Sequence, residues 1–182
     1  MIRILLSLTL CALTCIGYAQ DASVEKSING IQVGFLGAWA HREMKLSNEV
    51  ALRIELGMDA GGWSGNYTPK SSFAMVPVLT LEPRWYYNLN KRASKSKDIS
   101  RNSANFFTLQ TSYHPDWFVI SNNKSVRVNE QISIIPTWGI RRNLGKNFNY
   151  EAGIGIGYRH VIPNGVFRSI DPNIHLRIGY QF

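Results

Sequence analysis

The last ten residues of the chain alternate without a break. Ile174, Leu176, Ile178, Tyr180 and Phe182 occupy one phase, and Asn173, His175, Arg177, Gly179 and Gln181 the other. A period of two turns such a stretch into a strand with one apolar and one polar face. The same period recurs upstream. Glu49 to Asp59 sets Leu52, Ile54, Leu56 and Met58 against Arg53, Glu55, Gly57 and Asp59. Phe73 to Asn88 sets Leu79, Leu81, Pro83, Trp85 and Tyr87 against Thr80, Glu82, Arg84 and Tyr86. Phe107, Leu109, Thr111 and Tyr113 oppose Gln110, Ser112 and His114, and Ile132, Ile134, Pro136, Trp138 and Ile140 oppose Ser133, Ile135, Thr137, Gly139 and Arg141. Phe148 to Tyr158 alternates with Glu151, Gly153, Gly155, Gly157 and Arg159, and Ile31 to Trp39 reads as one further strand.

These stretches make seven strands. An eighth is either Ser23 to Gly30 or a strand merged into one of the seven. His41 to Asn48 reads as a short polar turn and Asn143 to Asn147 as a hairpin turn, with Gly145 where positive φ is needed. Gly61 to Ser72, Asp116 to Asn129 and Pro163 to Pro172 are longer loops, and Leu89 to Ala104 is a basic, serine-rich connection expected to be solvated. Proline cannot donate a ladder hydrogen bond, so Pro77, Pro83 and Pro136 are expected at bulges or strand ends.

The first residues have a different character. Arg3 precedes an apolar run from Leu5 to Ile16, and Gly17-Tyr18-Ala19 offers small residues where a signal peptidase would cut. This is the pattern of a secretory leader over residues 1–19, too short for a spanning helix of about 20 apolar residues. Residues 20–182 are then the mature domain. Both cysteines, Cys11 and Cys15, lie in the leader, so no disulfide or thiolate site is expected beyond it. The net charge of +8 raises nucleic acid as a partner. The basic residues, however, follow neither a helix face nor a regular series of stacking aromatics, and nucleic-acid binding is not expected.

No other stretch could form a membrane helix, so a membrane protein of this composition would be a β-barrel. The fold expected is all-β, an up-and-down antiparallel transmembrane barrel of about eight strands. Alternation alone leaves open which face points outward, because a soluble ligand-binding barrel is apolar inside. In the membrane phase Arg53, Glu55, Glu82, Arg84, Glu151, Arg159 and Arg177 form a luminal polar network. Trp39, Trp85, Tyr86, Tyr87, Phe148, Tyr150, Tyr180 and Phe182 then serve as interfacial girdles. An interior packed with Arg and Glu is expected to be filled instead of open.

Two resemblances favour the membrane phase. The closing alternation, ending on Phe182, resembles the last strand of outer-membrane barrels. That likeness implies that Ile174, Leu176, Ile178, Tyr180 and Phe182 form the signal read by the barrel-assembly machinery. Leu79 to Asn88 (LTLEPRWYYN), Asn102 to Phe106 (NSANF), Pro136 to Arg142 (PTWGIRR) and the closing strand together resemble a family of small, uncharacterised, porin-like outer-membrane β-barrel proteins of Gram-negative bacteria. The resemblance implies an outer-membrane location, with membrane lipids and the assembly machinery as partners, and carries no activity with it.

Chemistry is sparse. Gly153-Ile154-Gly155-Ile156-Gly157 lacks the helix that a nucleotide-binding glycine loop requires, and small residues facing a crowded interior account for it. Small outer-membrane barrels that deacylate lipid A use a His–Ser pair. Here His160 has Ile162 where the serine would stand, and Ser112 with His114 is the remaining pair. His41, His114, His160 and His175 are scattered, so neither metal nor cofactor is expected. The reading is a non-enzymatic outer-membrane barrel, structural or surface-binding through its loops, with no small-molecule ligand named. A lipid A deacylase-like enzyme and a soluble periplasmic ligand-binding barrel are the alternatives.

Overall fold

Each alternating stretch pairs antiparallel with its neighbours in a computed structural model describing residues 22–63, 72–123, 126–162 and 168–182. The expected leader at 1–19 lies outside the described residues, as do parts of the loops expected at 61–72, 116–129 and 163–172. The strands are β1 (Ser27–Gly34), β2 (Gly37–Lys45), β3 (Val50–Trp63), β4 (Ser72–Trp85), β5 (Asn105–His114), the two-residue β6 (Ile120–Ser121), β7 (Gln131–Leu144), β8 (Phe148–Val161) and β9 (Arg168–Gln181). Leaving aside β6, which only fringes β4, eight strands follow one another round the sheet, and β9 returns to β1 to close an up-and-down barrel. The proximal rim carries the start of β1 and the end of β9. The distal rim carries the β1–β2 hairpin and the end of β3.

The eighth strand draws on both stretches left open: β1 takes in Ser27 to Gly30 and runs on into Ile31 to Gly34. Ile31 to Trp39 is not one strand but the end of β1, a turn at Phe35-Leu36 and the start of β2. His41 to Lys45, read as a turn, belongs to β2. Gly37 makes the reversal possible: its φ is 146°, and a Cβ there would run into the Met58 carbonyl. A two-residue hairpin also exchanges the phases, so Ile31 and Val33 face outward while Trp39 is buried.

The prolines are neither bulges nor strand ends. Pro83 pairs with Leu52 on β3, and Pro136 with Leu109 on β5. On the opposite edge of each, the ladder lapses and resumes in the same register: Leu81 pairs with Thr111 and Arg84 with Thr108, Ile134 with Tyr158 and Thr137 with Gly155. The missing N–H leaves a gap in one ladder without shifting the strand.

One facing prevails round the barrel, with Arg42 of β2 a charged exception on the outside. Ile54, Leu56, Leu79, Ile134, Ile154 and Ile174 are between 37% and 71% exposed, whereas the alternate residues are enclosed and mostly polar, with Ala74, Val76, Val78 and Ile135 the apolar ones nearer the distal rim. The apolar phase points outward.

Leu89 to Ala104 departs from the expectation of a solvated connection. A short helix, α1 (Leu89–Ala93), and a 3-10 turn (Ser100–Asn102) fold across the proximal rim. Leu89, Tyr86, Ala104 and Phe106 bury their side chains with Ala22, Val24 and Ala51, and Ile99 packs against them. The Ala22 amide donates to Asn90 Oδ1 at 2.9 Å and the Glu25 amide to Asn102 Oδ1 at 2.8 Å, tying the first described residues to this plug. Its basic side chains, Lys91, Lys95 and Lys97, are the exposed part. A hydrophobic cluster of this kind, capped by charge, closes the barrel end.

Candidate functional site

Strand register writes two rows of alternating charge on the inner wall. Across β2, β3 and β4, Glu43 faces Arg53, which faces Glu82. Across β7, β8 and β9, Arg141 faces Glu151, which faces Arg177. Opposite charges directly across a ladder attract, and here they lie side by side on the inner face. Glu55 and Arg84, each two residues along from a member of the first row, share its inward phase.

The rows meet across the lumen. Arg84 donates Nη1 and Nη2 to the two oxygens of Glu151, both at 2.9 Å. Arg141 donates to Glu151 from Nε at 3.0 Å and from Nη2 at 2.9 Å, and from Nη1 to Glu43 at 2.9 Å. Arg177 bonds both oxygens of Glu55, at 3.0 and 2.9 Å, and Arg53 bonds Glu55 and Gln32. Arg84 Nε donates to Glu82 at 2.6 Å. Four guanidinium groups and four carboxylates, nearly all without solvent exposure, thus balance one another. Charges withdrawn from water this far are tolerable only when paired and hydrogen-bonded.

Aromatic rings bound the network. Arg84 Cζ lies 4.4 Å from the Phe106 ring centre, and Arg177 Cζ lies 3.9 Å from that of Trp39. Trp39 and Tyr86, expected in the outer girdle, therefore face inward. Tyr86 joins the plug to the network, its hydroxyl donating to Glu43 at 2.6 Å, beside an Asn102 bond of the same length. The inward glycines give these groups room. A Cβ at Gly139 would strike the Phe106 ring, at Gly153 the His175 ring, and at Gly57 the Trp39 ring.

Of the residues singled out in the sequence, Arg53, Glu55, Glu82, Arg84, Glu151 and Arg177 meet in this proximal half. Arg159 does not; it forms a separate pair with Asp171 nearer the distal rim, at 3.0 and 2.7 Å. Glu43 and Arg141 were missed. Glu43 fell in the stretch read as a turn, while Arg141 shares the inward phase of Thr137 and Gly139 and was the detectable one. Ile174, Leu176, Ile178, Tyr180 and Phe182 all project outward from β9 or just beyond it.

Distal to the network the interior opens into a cavity of about 530 Å³. Asp59 accepts from Trp39 Nε1 at 2.7 Å and meets His114 Nε2 at 2.8 Å. Ser112 shares a 2.9 Å hydrogen bond with Thr80, and no bond among the described residues joins it to His114. The pair has therefore no nucleophile–base contact. His160 lies on the outward phase of β8, separate from both. No model of a known protein family matches the chain, and no curated protein matches it.

Proposed function

We infer that the chain is an integral outer-membrane barrel, non-enzymatic, with its proximal interior filled and closed, working through the surface it presents at its distal rim. The outward apolar belt carries this reading. Soluble monomers rarely expose contiguous apolar patches of more than a few hundred Å², and here the outward phase is largely Ile, Leu, Val or aromatic on every long strand but β2, which presents Ala38, Ala40 and Arg42. Such a wall suits a bilayer, where a closed barrel also satisfies backbone groups that lipid cannot. A soluble ligand-binding barrel would have the reverse facing.

The aromatic residues support the same orientation. Near the proximal rim Phe107 lies 5.2 Å from Tyr87 and 6.3 Å from Trp85, and Trp138 donates to Tyr87 at 3.0 Å. Phe148, Tyr180 and Phe182 continue the band, while Phe73, Trp117 and Phe118 are exposed on the distal side. Two aromatic bands flanking an aliphatic belt are the interfacial girdles of membrane barrels. The proximal rim, with its plug, then faces the periplasm, and a barrel so closed carries no conducting pore. Fractionation of cells tests the location: the chain is expected with the outer membrane, showing heat-modifiable gel mobility. Recovery as a soluble periplasmic monomer would overturn the reading.

A further inference from the structure

The barrel wall is uneven. β1 and β2 have 8 and 9 residues, whereas β3, β4, β7, β8 and β9 have 14. The last rung between β1 and β9 is Gly34–Arg177, and between β2 and β3 it is Gly37–Asp59, with the Ala60 amide still donating to the Leu36 carbonyl. Above that level residues 168–176 of β9 pair with β8 on one side and, among the described residues, with no strand on the other. The wall has a notch there, over the tip of the β1–β2 hairpin.

The distal cavity reaches this notch. Its lining includes inward residues of β9, Asp171, Asn173 and His175, together with the outward residues Pro172 and Ile174 of the same strand, and Leu36 from the hairpin tip. A cavity lined by both faces of one strand passes over that strand's open edge. Just behind its inner surface polar capacity is left unused: His114 Nδ1, both ring nitrogens of His175 and Arg177 Nε are buried without a hydrogen-bond partner. The side chains of His114 and His175 are only 9% and 10% exposed. The charge of the lining favours an anion: Arg127, Arg159 and Arg177 outnumber its two carboxylates, Asp59, which holds His114 Nε2, and Asp171. Arg159 spends Nε and Nη2 on Asp171 and keeps Nη1, while Arg127 lies in the lining with no acidic partner among the described residues.

We propose that this notch and cavity form a binding site for a single-chain amphiphile with an anionic head, carboxylate or phosphate ester. The head enters the cavity towards Arg159, His114 and His175. The chain leaves between Leu36 and Ile174 into the outer leaflet. An open strand edge in hydrocarbon is costly, since each unmet backbone group there costs several kcal/mol; a head held in the cavity lies along the part of that edge distal to Ile174, and the chain leaves below it. This proposal rests on the membrane reading, and the experiment separates the two.

The purified full chain is placed in lipid nanodiscs, and insertion is verified by heat-modifiable mobility. It is then labelled with a photoreactive single-chain fatty acid and with the alcohol of equal length. Saturable labelling concentrated at Leu36, Pro172 and Ile174 is expected for the acid and not for the alcohol. A single-chain phosphate ester should compete. Arg127→Gln, at an exposed position that does not bear on folding, and Arg159→Gln should each weaken binding about tenfold, the loss of one charged hydrogen bond. Labelling spread evenly over Ile54, Ile134 and Ile154 would mean surrounding lipid only and would overturn the site. Competition by inorganic phosphate at equal strength would overturn the part assigned to the chain. A chain that stays soluble without inserting would instead overturn the membrane reading.

Discussion

Glu151 holds the interior together more than any other residue. It takes four hydrogen bonds from Arg84 and Arg141, with Arg53 at 3.8 Å and His175 at 3.6 Å. Glu151→Ala leaves Arg84 only Glu82 and Arg141 only Glu43, with four N–H groups unpaired away from water, and removing one member of a buried ion pair costs about 3–5 kcal/mol. Urea unfolding of the refolded barrel should show a loss of that order; a loss below about 1 kcal/mol would mean that water or rearrangement compensates. Phe182 makes the opposite case. It is 73% exposed, with Tyr180 the ring beside it at 6.4 Å. Phe182→Ala should therefore cost only a fraction of the ~1.5–3 kcal/mol of a fully buried side chain. If Phe182 is read by the assembly machinery, outer-membrane levels in cells should fall sharply while refolding in detergent stays near normal. Equal losses in both would make it an ordinary packing residue. At this scale a sequence carries phase: Arg53 with Glu55 and Glu82 with Arg84 stand two apart and share a face. It does not carry the partner across the lumen. Arg141 meets Glu43 from 98 positions away, and no acidic residue two positions from Arg141 marks it as one of a pair.

Among the elements, the plug is the one whose sequence is most misleading. Its five basic residues and serines are what a solvated linker would show, and the apolar residues that bury are few: Leu89, Ala104 and, through the strand ends, Tyr86 and Phe106. A cluster this sparse has no period to detect. The β1–β2 hairpin was hidden differently, because an apolar turn at Phe35-Leu36 continues the alternation through the reversal. The strands β3, β4, β7, β8 and β9 were legible because each runs long enough in one phase, even through Pro83 and Pro136. Leu89→Ala, at a fully buried position, should cost about 2–5 kcal/mol if fully coupled to the fold. Because the plug is a separate cluster on the rim, the loss is expected as local opening. Trypsin should then cut at Lys91, Arg92, Lys95 or Lys97 while the strands stay protected, and cleavage throughout would show that plug and barrel unfold as one. Acid should loosen the plug in the same way. Partial burial raises the Asp98 carboxyl, but hydrogen bonds from Ser100 and Asn143 outweigh it and hold it below the usual carboxylate range. A depressed folded value contributes stability above the unfolded value of about 3.9 and loses it as pH falls through the folded one. Plug cleavage by an acid-active protease should therefore rise below about pH 4 in the wild type. It should be less pH-dependent in Asp98→Asn.

As a whole, the molecule is arranged inside out relative to a soluble domain. Its charges are paired at the centre and its aliphatic side chains cover the outside, so the surroundings decide what a surface substitution costs. Ile54 is the place to ask. It sits outward on β3, between Arg42 of β2 and Leu81 of β4 in the ladder, with Leu52 and Leu56 on the same face. Its inward neighbours, Arg53 and Glu55, are left untouched by a change on the other face. In water, Ile54→Arg is a substitution at an exposed site and should alter stability by no more than about 0.5 kcal/mol. Near the middle of a bilayer the same change should cost about 2–4 kcal/mol, falling towards 0–1 near an interface. Refolding into vesicles and into a short-chain detergent, measured side by side, separates the two surroundings. A penalty in vesicles that shrinks in the detergent, where the guanidinium reaches water, is the result expected of a membrane-facing wall. Insertion into vesicles as favourable as that of the wild type would place Ile54 away from hydrocarbon and remove the outward face of β3 from the lipid belt.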